Sequence, residues 1–274
     1  LAIEEDVGNC DATSLSVIGR GVAAEAELIC REECVCAGLP AAEAVFKKLD
    51  AKVKFVPLAA EGELCQPNTI LAKIAGDAAS MLTAERTALN FLQRLCGIAA
   101  LSRKYAAAVK GTKTKILDTR KTTPGWRNLE KYAVSVGGAE NHRIGLYDRI
   151  MIKDNHRELA GLLSEEGIAE SVRRARKMYP KLEIEIEADT IDDVRKALSA
   201  GADYIILDNM SDETMKEAVK IVAGKTKLEA SGGITFERLA KIAKIGVDFI
   251  SCGALTHSVR AIDISMEIKK GKKK

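Results

Sequence analysis

The segment Asp118-Thr-Arg-Lys-Thr-Thr-Pro-Gly125 sets two adjacent cations ahead of hydroxyls and a Pro-Gly turn. A guanidinium offers a planar fork that matches a carboxylate, whereas an ammonium is a compact point charge for any anion. Asn141-His142-Arg143 and Lys153-Asp-Asn-His156 add two more cations and two imidazoles. If Arg120, Lys121, Arg143 and Lys153 surround one cavity, like charges near 4 Å repel by about 4 kcal/mol at an effective dielectric near 20. Such crowding calls for anions. A substrate with several carboxylates or phosphates is the economical explanation, and structural ion pairs with Glu183, Glu185 or Asp154 are the alternative.

The run Leu182-Glu-Ile-Glu-Ile-Glu187 has the period of a strand, with Leu182, Ile184 and Ile186 on one face and three carboxylates on the other. In a barrel the apolar set meets helices and the carboxylates face the interior, where each needs a cation, a metal or a proton. Glu183 and Glu185 are expected to be buried structural partners of lysines. Glu187, nearest the strand end, is expected to face a ligand, with Asp208 beside it on the next strand. Two hard oxygen donors with room for water suit Mg²⁺ held jointly with substrate phosphate.

Glu229-Ala-Ser-Gly-Gly-Ile234 and Ser251-Cys-Gly-Ala254 close the last two apolar runs with small residues. Ser231, Gly232, Gly233 and Gly253 would let backbone N–H groups approach a phosphate, a following helix end would add its dipole, and His257 could donate to the same group. In an α/β barrel this is the usual phosphate position.

These residues need a scaffold that brings strand ends together. Beyond Gly111, short apolar runs alternate with amphipathic stretches, the rhythm of βα units around a parallel sheet. The expected strands are Lys115–Leu117, Ile150–Ile152, Leu182–Ile186, Tyr204–Leu207, Lys227–Glu229 and Phe249–Ser251, with a weaker Ala133–Val136 completing seven. Helices are expected near Glu158–Met178, Ile191–Ala200, Asp212–Val222 and Phe236–Ile245. Asp118 and Arg120, Lys153 and Asp154, Glu187, Asp208, Ser231 with Gly232 and Gly233, and Cys252 with Gly253 fall at the ends of these runs. Upstream, Ala24–Cys30, Val53–Leu58 and Thr69–Ile74 read as strands of a smaller β-rich domain interrupted by a helix over Pro40–Leu49. Ser80 is expected to cap a long helix from Met81 to about Val109. The domains are therefore 1–110, 111–257, and a segment 258–274 that returns to the first domain and ends in the basic run Lys269 to Lys274.

At 274 residues, 47% hydrophobic and 30% charged, the chain has the composition of a globular protein. A net charge of +3 against 39 acidic residues gives no broad nucleic-acid footprint. No apolar run is long enough for a membrane span, and no secretory signal is evident near Leu1. Seven cysteines, an odd number, imply reduced thiols that pack as small core residues in a cytoplasmic protein. The spacing of Cys30, Cys34 and Cys36 fits no common zinc or iron–sulfur pattern. The sequence opens at Leu1 without methionine, and a preceding segment is expected.

The runs Glu85-Arg-Thr-Ala-Leu-Asn90, Asp118 to Gly125, Gly137-Gly-Ala-Glu-Asn-His-Arg143, Lys153 to His156, Leu207-Asp-Asn209, Glu229 to Ile234 and Gly253-Ala-Leu-Thr-His257 together resemble quinolinate phosphoribosyltransferase, from Glu5 nearly to Ile268. The resemblance implies an N-terminal α/β sandwich, a C-terminal seven-stranded open α/β barrel, and a dimer in which one subunit's sandwich covers the other's barrel mouth. It implies decarboxylating transfer of ribose phosphate from phosphoribosyl pyrophosphate to quinolinate, with Mg²⁺. Arg120, Lys121, His142, Arg143 and Lys153 would then contact the quinolinate carboxylates or neighbouring phosphates, and Glu187 and Asp208 the ribose and Mg²⁺; Lys121, Glu187 and Asp208 are the catalytic candidates. Ser231, Gly232, Gly233, Gly253 and His257 would hold the 5′-phosphate, and Arg86 would come from the partner subunit. Cys10 and Cys34 stand where the family usually has glycine, and Cys96 where it has serine. Two rivals remain: a phosphoribosyltransferase for nicotinate or another acid, and a non-catalytic phosphate-binding module, which would not need the acidic pair.

Overall fold

The structure is a computed structural model, and residues 1–19 and 21–269 are described. Most of the basic run, Lys270 to Lys274, lies outside them. In chain order the elements are helices α1 (Ala2–Val7) and α2 (Ala12–Val17), strands β1 (Ala23–Cys30) and β2 (Cys34–Val35), α3 (Leu39–Leu49), β3 (Lys54–Pro57), β4 (Leu64–Cys65), β5 (Ile70–Asp77) and α4 (Ala78–Ala108). Then come β6 (Lys115–Leu117), α5 (Arg127–Val136), β7 (Ile150–Ile152), α6 (Asp154–Leu159), α7 (Gly167–Met178), β8 (Ile184–Ala188), α8 (Ile191–Ser199), β9 (Tyr204–Asp208) and α9 (Asp212–Val222). The last are β10 (Lys227–Ser231), a 3₁₀ turn (Phe236–Arg238), α10 (Leu239–Ile245), β11 (Phe249–Ser251), α11 (Ala254–His257) and β12 (Ile264–Lys269).

Two compact units form, giving the expected two-part α/β architecture. The first takes Leu1–Arg103, Leu129–Gly138 and the segment from Ser258; the second takes Lys104–Asn128 and Ala139–His257. Residues 104–110 and 129–138 thus change sides relative to a single cut after residue 110.

In the first unit an antiparallel sheet runs in the order β12, β1, β5, β3. The period of two along β1 turns Ala24, Ala26, Leu28 and Cys30 into a core shared with Phe46 of α3, Leu71 and Ile74 of β5, and Met81, Leu89 and Leu92 of α4. Each fully buried Leu, Ile, Met or Phe contributes about 1.5–3 kcal/mol relative to exposure. α4 starts earlier than expected. Asp77, not Ser80, supplies its first acceptor, with Oδ1 3.0 Å from the Ser80 N–H. Six of the seven cysteines are buried as expected of core residues, but Cys10 is exposed. Cys34 and Cys65 pair across β2 and β4.

The expected strand Ala133–Val136 is the end of helix α5 instead. Its β-branched residues suggested a strand, but helical spacing lets Glu130 meet Arg94 of α4 at 2.9 Å, with the carboxylate fully buried. Tyr132 donates a 2.6 Å hydrogen bond to Glu61 in the same unit. Gly137, at the end of α5, leaves no room for a Cβ beside Ala99 and Ser102.

In the second unit six parallel strands run in the order β6, β11, β10, β9, β8, β7. Where a seventh was expected there is a single bridge, Glu140 beside Leu117. The helix expected over Glu158–Met178 is split into α6 and α7, because Gly161 turns the chain at φ 69°. Helices α8 and α9 begin at side-chain caps, Thr190 accepting from the Asp193 N–H and Ser211 from the Thr214 N–H, both at 3.1 Å. These caps fix where the chain leaves β8 and β9, and so where their terminal carboxylates stand.

Candidate active site

Parallel pairing sends all six strands the same way, so their C-terminal ends make one rim. Arg120 and Lys121 follow β6, Arg143 follows the Glu140 bridge, and Lys153 follows β7. Glu187 lies near the end of β8, Asp208 ends β9, Ser231 ends β10, and Gly253 follows β11. The structure therefore puts these residues of the second unit at one end of its sheet, while His142 lies deeper. Arg86 belongs to the first unit, where it is exposed on α4.

Several cations lie among these residues. Burial and the nearby charge of Arg120 both lower the Arg143 pKa, while Glu185 and Asp148 oppose the shift. Arg143 Nη1 donates to the Arg149 carbonyl at 2.9 Å, which fixes the side chain. Yet Arg120 and Arg143 each keep a buried Nε without a hydrogen-bond partner. Lys153 is paired with Glu187. His156 accepts from the Lys153 N–H at 3.0 Å through Nδ1 and is exposed, so this imidazole orders the turn into α6.

The acids fall into two groups. Toward the rim, Asp208 accepts from the Asn209 side chain at 2.6 Å. Burial raises the Asp189 pKa, and so do the charges of Asp193, Asp208 and Asp154. Asp189 escaped the sequence reading although it lies two residues beyond Glu187, on the same strand period. Deeper in the sheet, His142 Nε2 lies 3.4 Å from both Glu185 and Glu229. Those three form a group of potential metal ligands whose atoms lie within 4.8 Å of one another among the described residues.

The expected lysine partners of Glu183 and Glu185 are not lysines. Glu183 is half-exposed beside Arg149 at 3.2 Å, while Glu185 is buried between His142 and Arg149. Burial raises the Glu185 pKa. Glu229 is lowered: burial opposes its charge, but hydrogen bonds with His142, Ser251 and Glu185 prevail.

The glycine turns are close-fitting. A Cβ on Gly253 would lie 2.9 Å from His257 Cδ2 and 3.0 Å from Lys121 Cδ, so this glycine allows an imidazole and an ammonium to flank one backbone position. Thr256 ties the same corner by donating to the Lys121 carbonyl at 2.8 Å. Gly232, at φ 87°, packs against Asn209 where a Cβ would overlap its side chain. The helix ends expected to assist are short, a 3₁₀ turn after β10 and the four-residue α11 after β11. Any phosphate would rely on the glycine N–H groups, Lys121 and His257.

A parallel α/β sheet whose strand ends combine arginines, lysines, carboxylates and glycine turns defines an enzyme class that handles anionic, phosphate-bearing small molecules. Within that class the chain belongs to the quinolinate phosphoribosyltransferase family. The profile for the N-terminal domain of quinolinate phosphoribosyl transferase matches residues 11–96, and that for the C-terminal domain matches residues 98–267. The probable nicotinate-nucleotide pyrophosphorylase (carboxylating) of Bacillus subtilis is 42% identical over 265 residues, covering 96% of this chain and 90% of the relative. The Synechocystis protein of the same name is 41% identical, covering 97% and 90%. The nicotinate-nucleotide pyrophosphorylase structure from Francisella tularensis aligns with a TM-score of 0.91 at 39% identity, covering 98% of this chain and 93% of that one. Human nicotinic acid phosphoribosyltransferase, at 14% identity and a TM-score of 0.62, shares the fold.

Proposed function

We infer that this chain catalyses decarboxylating phosphoribosyl transfer from phosphoribosyl pyrophosphate to quinolinate, forming nicotinate mononucleotide, pyrophosphate and carbon dioxide in NAD biosynthesis. The observation that carries the substrate class is the pair Arg120 and Arg143, close enough to perturb each other and each with an unpartnered buried Nε. Two adjacent carboxylates on one ring would satisfy both. Nicotinate, with one carboxylate, would not.

In the reaction the ring nitrogen bonds to the ribose anomeric carbon as the carbon–oxygen bond to pyrophosphate breaks, and pyrophosphate leaves with that electron pair. The alkylated ring is positive, so the bond to the adjacent carboxylate breaks with its electrons held on the ring, and a proton replaces the carbon dioxide. Arg120, Arg143 and Lys153 orient the dicarboxylate; positioning of this kind supplies about 7–11 kcal/mol. Lys121, Ser231, Gly232, Gly233, Gly253 and His257 hold the 5′-phosphate. Glu187 and Asp208 face the ribose, where a carboxylate stabilises positive charge developing on the sugar.

The charges of Asp193, Asp208 and Asp154 all act on Asp189, and that local excess of negative charge suits a divalent cation. Glu187 and Asp208 would hold Mg²⁺, which would offset charge on the leaving pyrophosphate. Arg86 reaches the site of a second copy in a homodimer or higher homo-oligomer, a reading supported by its exposure and by the family resemblance. No described helix is long and apolar enough to cross a membrane. Seven free thiols support a cytoplasmic setting.

The test is incubation with quinolinate, phosphoribosyl pyrophosphate and Mg²⁺, with nicotinate mononucleotide and carbon dioxide measured together. Equal yields that require both substrates are expected. Equal or faster turnover of nicotinate would overturn the assignment.

A further inference from the structure

We propose that Glu229, acting through His142, is a positioning residue that aims Arg143 at the substrate dicarboxylate. This rests on the placement of Arg143 in the quinolinate pocket. His142 uses both faces of its ring. Its Nδ1 accepts from the Arg143 N–H at 2.7 Å, so that nitrogen carries a lone pair and the ring proton is on Nε2. That proton faces Glu185 and Glu229 at 3.4 Å. The His142 N–H itself donates to Asp118 Oδ1 at 2.8 Å, and the Asp118 side chain is fully buried. Two consecutive main-chain N–H groups are therefore held by buried side chains, immediately where the Arg143 side chain departs.

Orientation of a ring by a carboxylate on its far nitrogen is the general way a histidine tautomer is fixed. Here the near nitrogen binds a backbone N–H, so what Glu229 orients is the peptide that carries Arg143. The pair of glutamates has a second effect. Arg120 and Arg143 repel each other, and the interior carboxylate Glu185 offsets that repulsion from below. Glu185 also meets Arg149, so Glu229 is the member whose action runs most directly through His142.

The experiment measures steady-state constants of Glu229→Gln, His142→Phe, the double variant and Arg143→Ala, each checked for folding by thermal melting. Glu229→Gln should raise the KM for quinolinate about tenfold, the scale of one lost close charge contact, with the KM for phosphoribosyl pyrophosphate unchanged. In the His142→Phe background it should have no further effect. If Glu229→Gln does not fold, Glu229→Asp, which keeps the charge but withdraws it by one methylene, carries the same expectation. An additive effect in the double variant, or equal losses for both substrates, would refute the role. Unchanged quinolinate KM in Glu229→Gln while Arg143→Ala raises it would sink this inference alone; no change in Arg143→Ala would sink the pocket assignment itself.

Discussion

Lys153 and Glu187 form an ion pair across the ends of the neighbouring strands β7 and β8, with the carboxylate almost entirely buried. The ammonium proposed to bind substrate thus already has an anionic partner. A quinolinate carboxylate must share Lys153 or draw it from Glu187, and either move changes the environment of the acid proposed to face the ribose. Lys153→Ala should weaken quinolinate binding by about tenfold or more, since a charged hydrogen bond is worth roughly 1.5–3 kcal/mol. Calorimetric titration with quinolinate checks this; unchanged affinity would move the carboxylate site away from β7.

Asp208 is the second acid at this rim, and its side chain is engaged by Asn209. Replacing it by asparagine keeps the shape and removes the charge. Asp208→Asn should lower activity and flatten the dependence of rate on Mg²⁺ concentration. Normal turnover with a normal magnesium titration would exclude it from holding the ion.

What was legible in the sequence follows from locality. The alternation of Leu182 to Glu187 declared which carboxylates share a face, and the small residues after β10 and β11 marked close backbone approach. What each carboxylate meets was not local. His142 and Glu229 reach Glu185 from distant parts of the chain, so lysine partners were assumed where histidine and arginine stand. Ala133–Val136 failed for a related reason. Its composition favours a strand, but the buried pairing of Glu130 with Arg94 belongs to a helix, and tertiary contact overrode propensity.

Asp212 begins α9 and is buried against Lys241 at 2.5 Å and Arg238 at 2.9 Å. Its hydrogen bond with Lys241, then that with Arg238, lowers its pKa despite burial. A carboxyl whose pKa is lowered by folding contributes stability that is complete above its unfolded value, about 4, and is lost as pH falls through the folded value. Urea unfolding of Asp212→Asn should show reduced stability at neutral pH and a shallower loss below about pH 4 than the parent chain. Parallel acid limbs would mean that the pair does not couple to folding.

Arg86 is exposed on α4 and belongs to the first unit, whereas the strand ends that carry the other candidate residues belong to the second. As an ordinary helix-surface arginine it would contribute only about 0.2–0.5 kcal/mol through i,i+4 pairing, and Arg86→Ala would be nearly silent. As a residue donated to a second copy it would be essential. In that case Arg86→Ala and Lys153→Ala homodimers should each be nearly inactive. A mixed dimer places both lesions in one site and neither in the other, which combines Arg86 from one chain with Lys153 from its partner. Mixing the two variants, with subunit exchange verified by mass spectrometry, should restore activity toward half of the parental value per dimer, as expected when independent lesions are separated into different sites. Verified heterodimers without recovery would mean that Arg86 serves its own chain or only the fold.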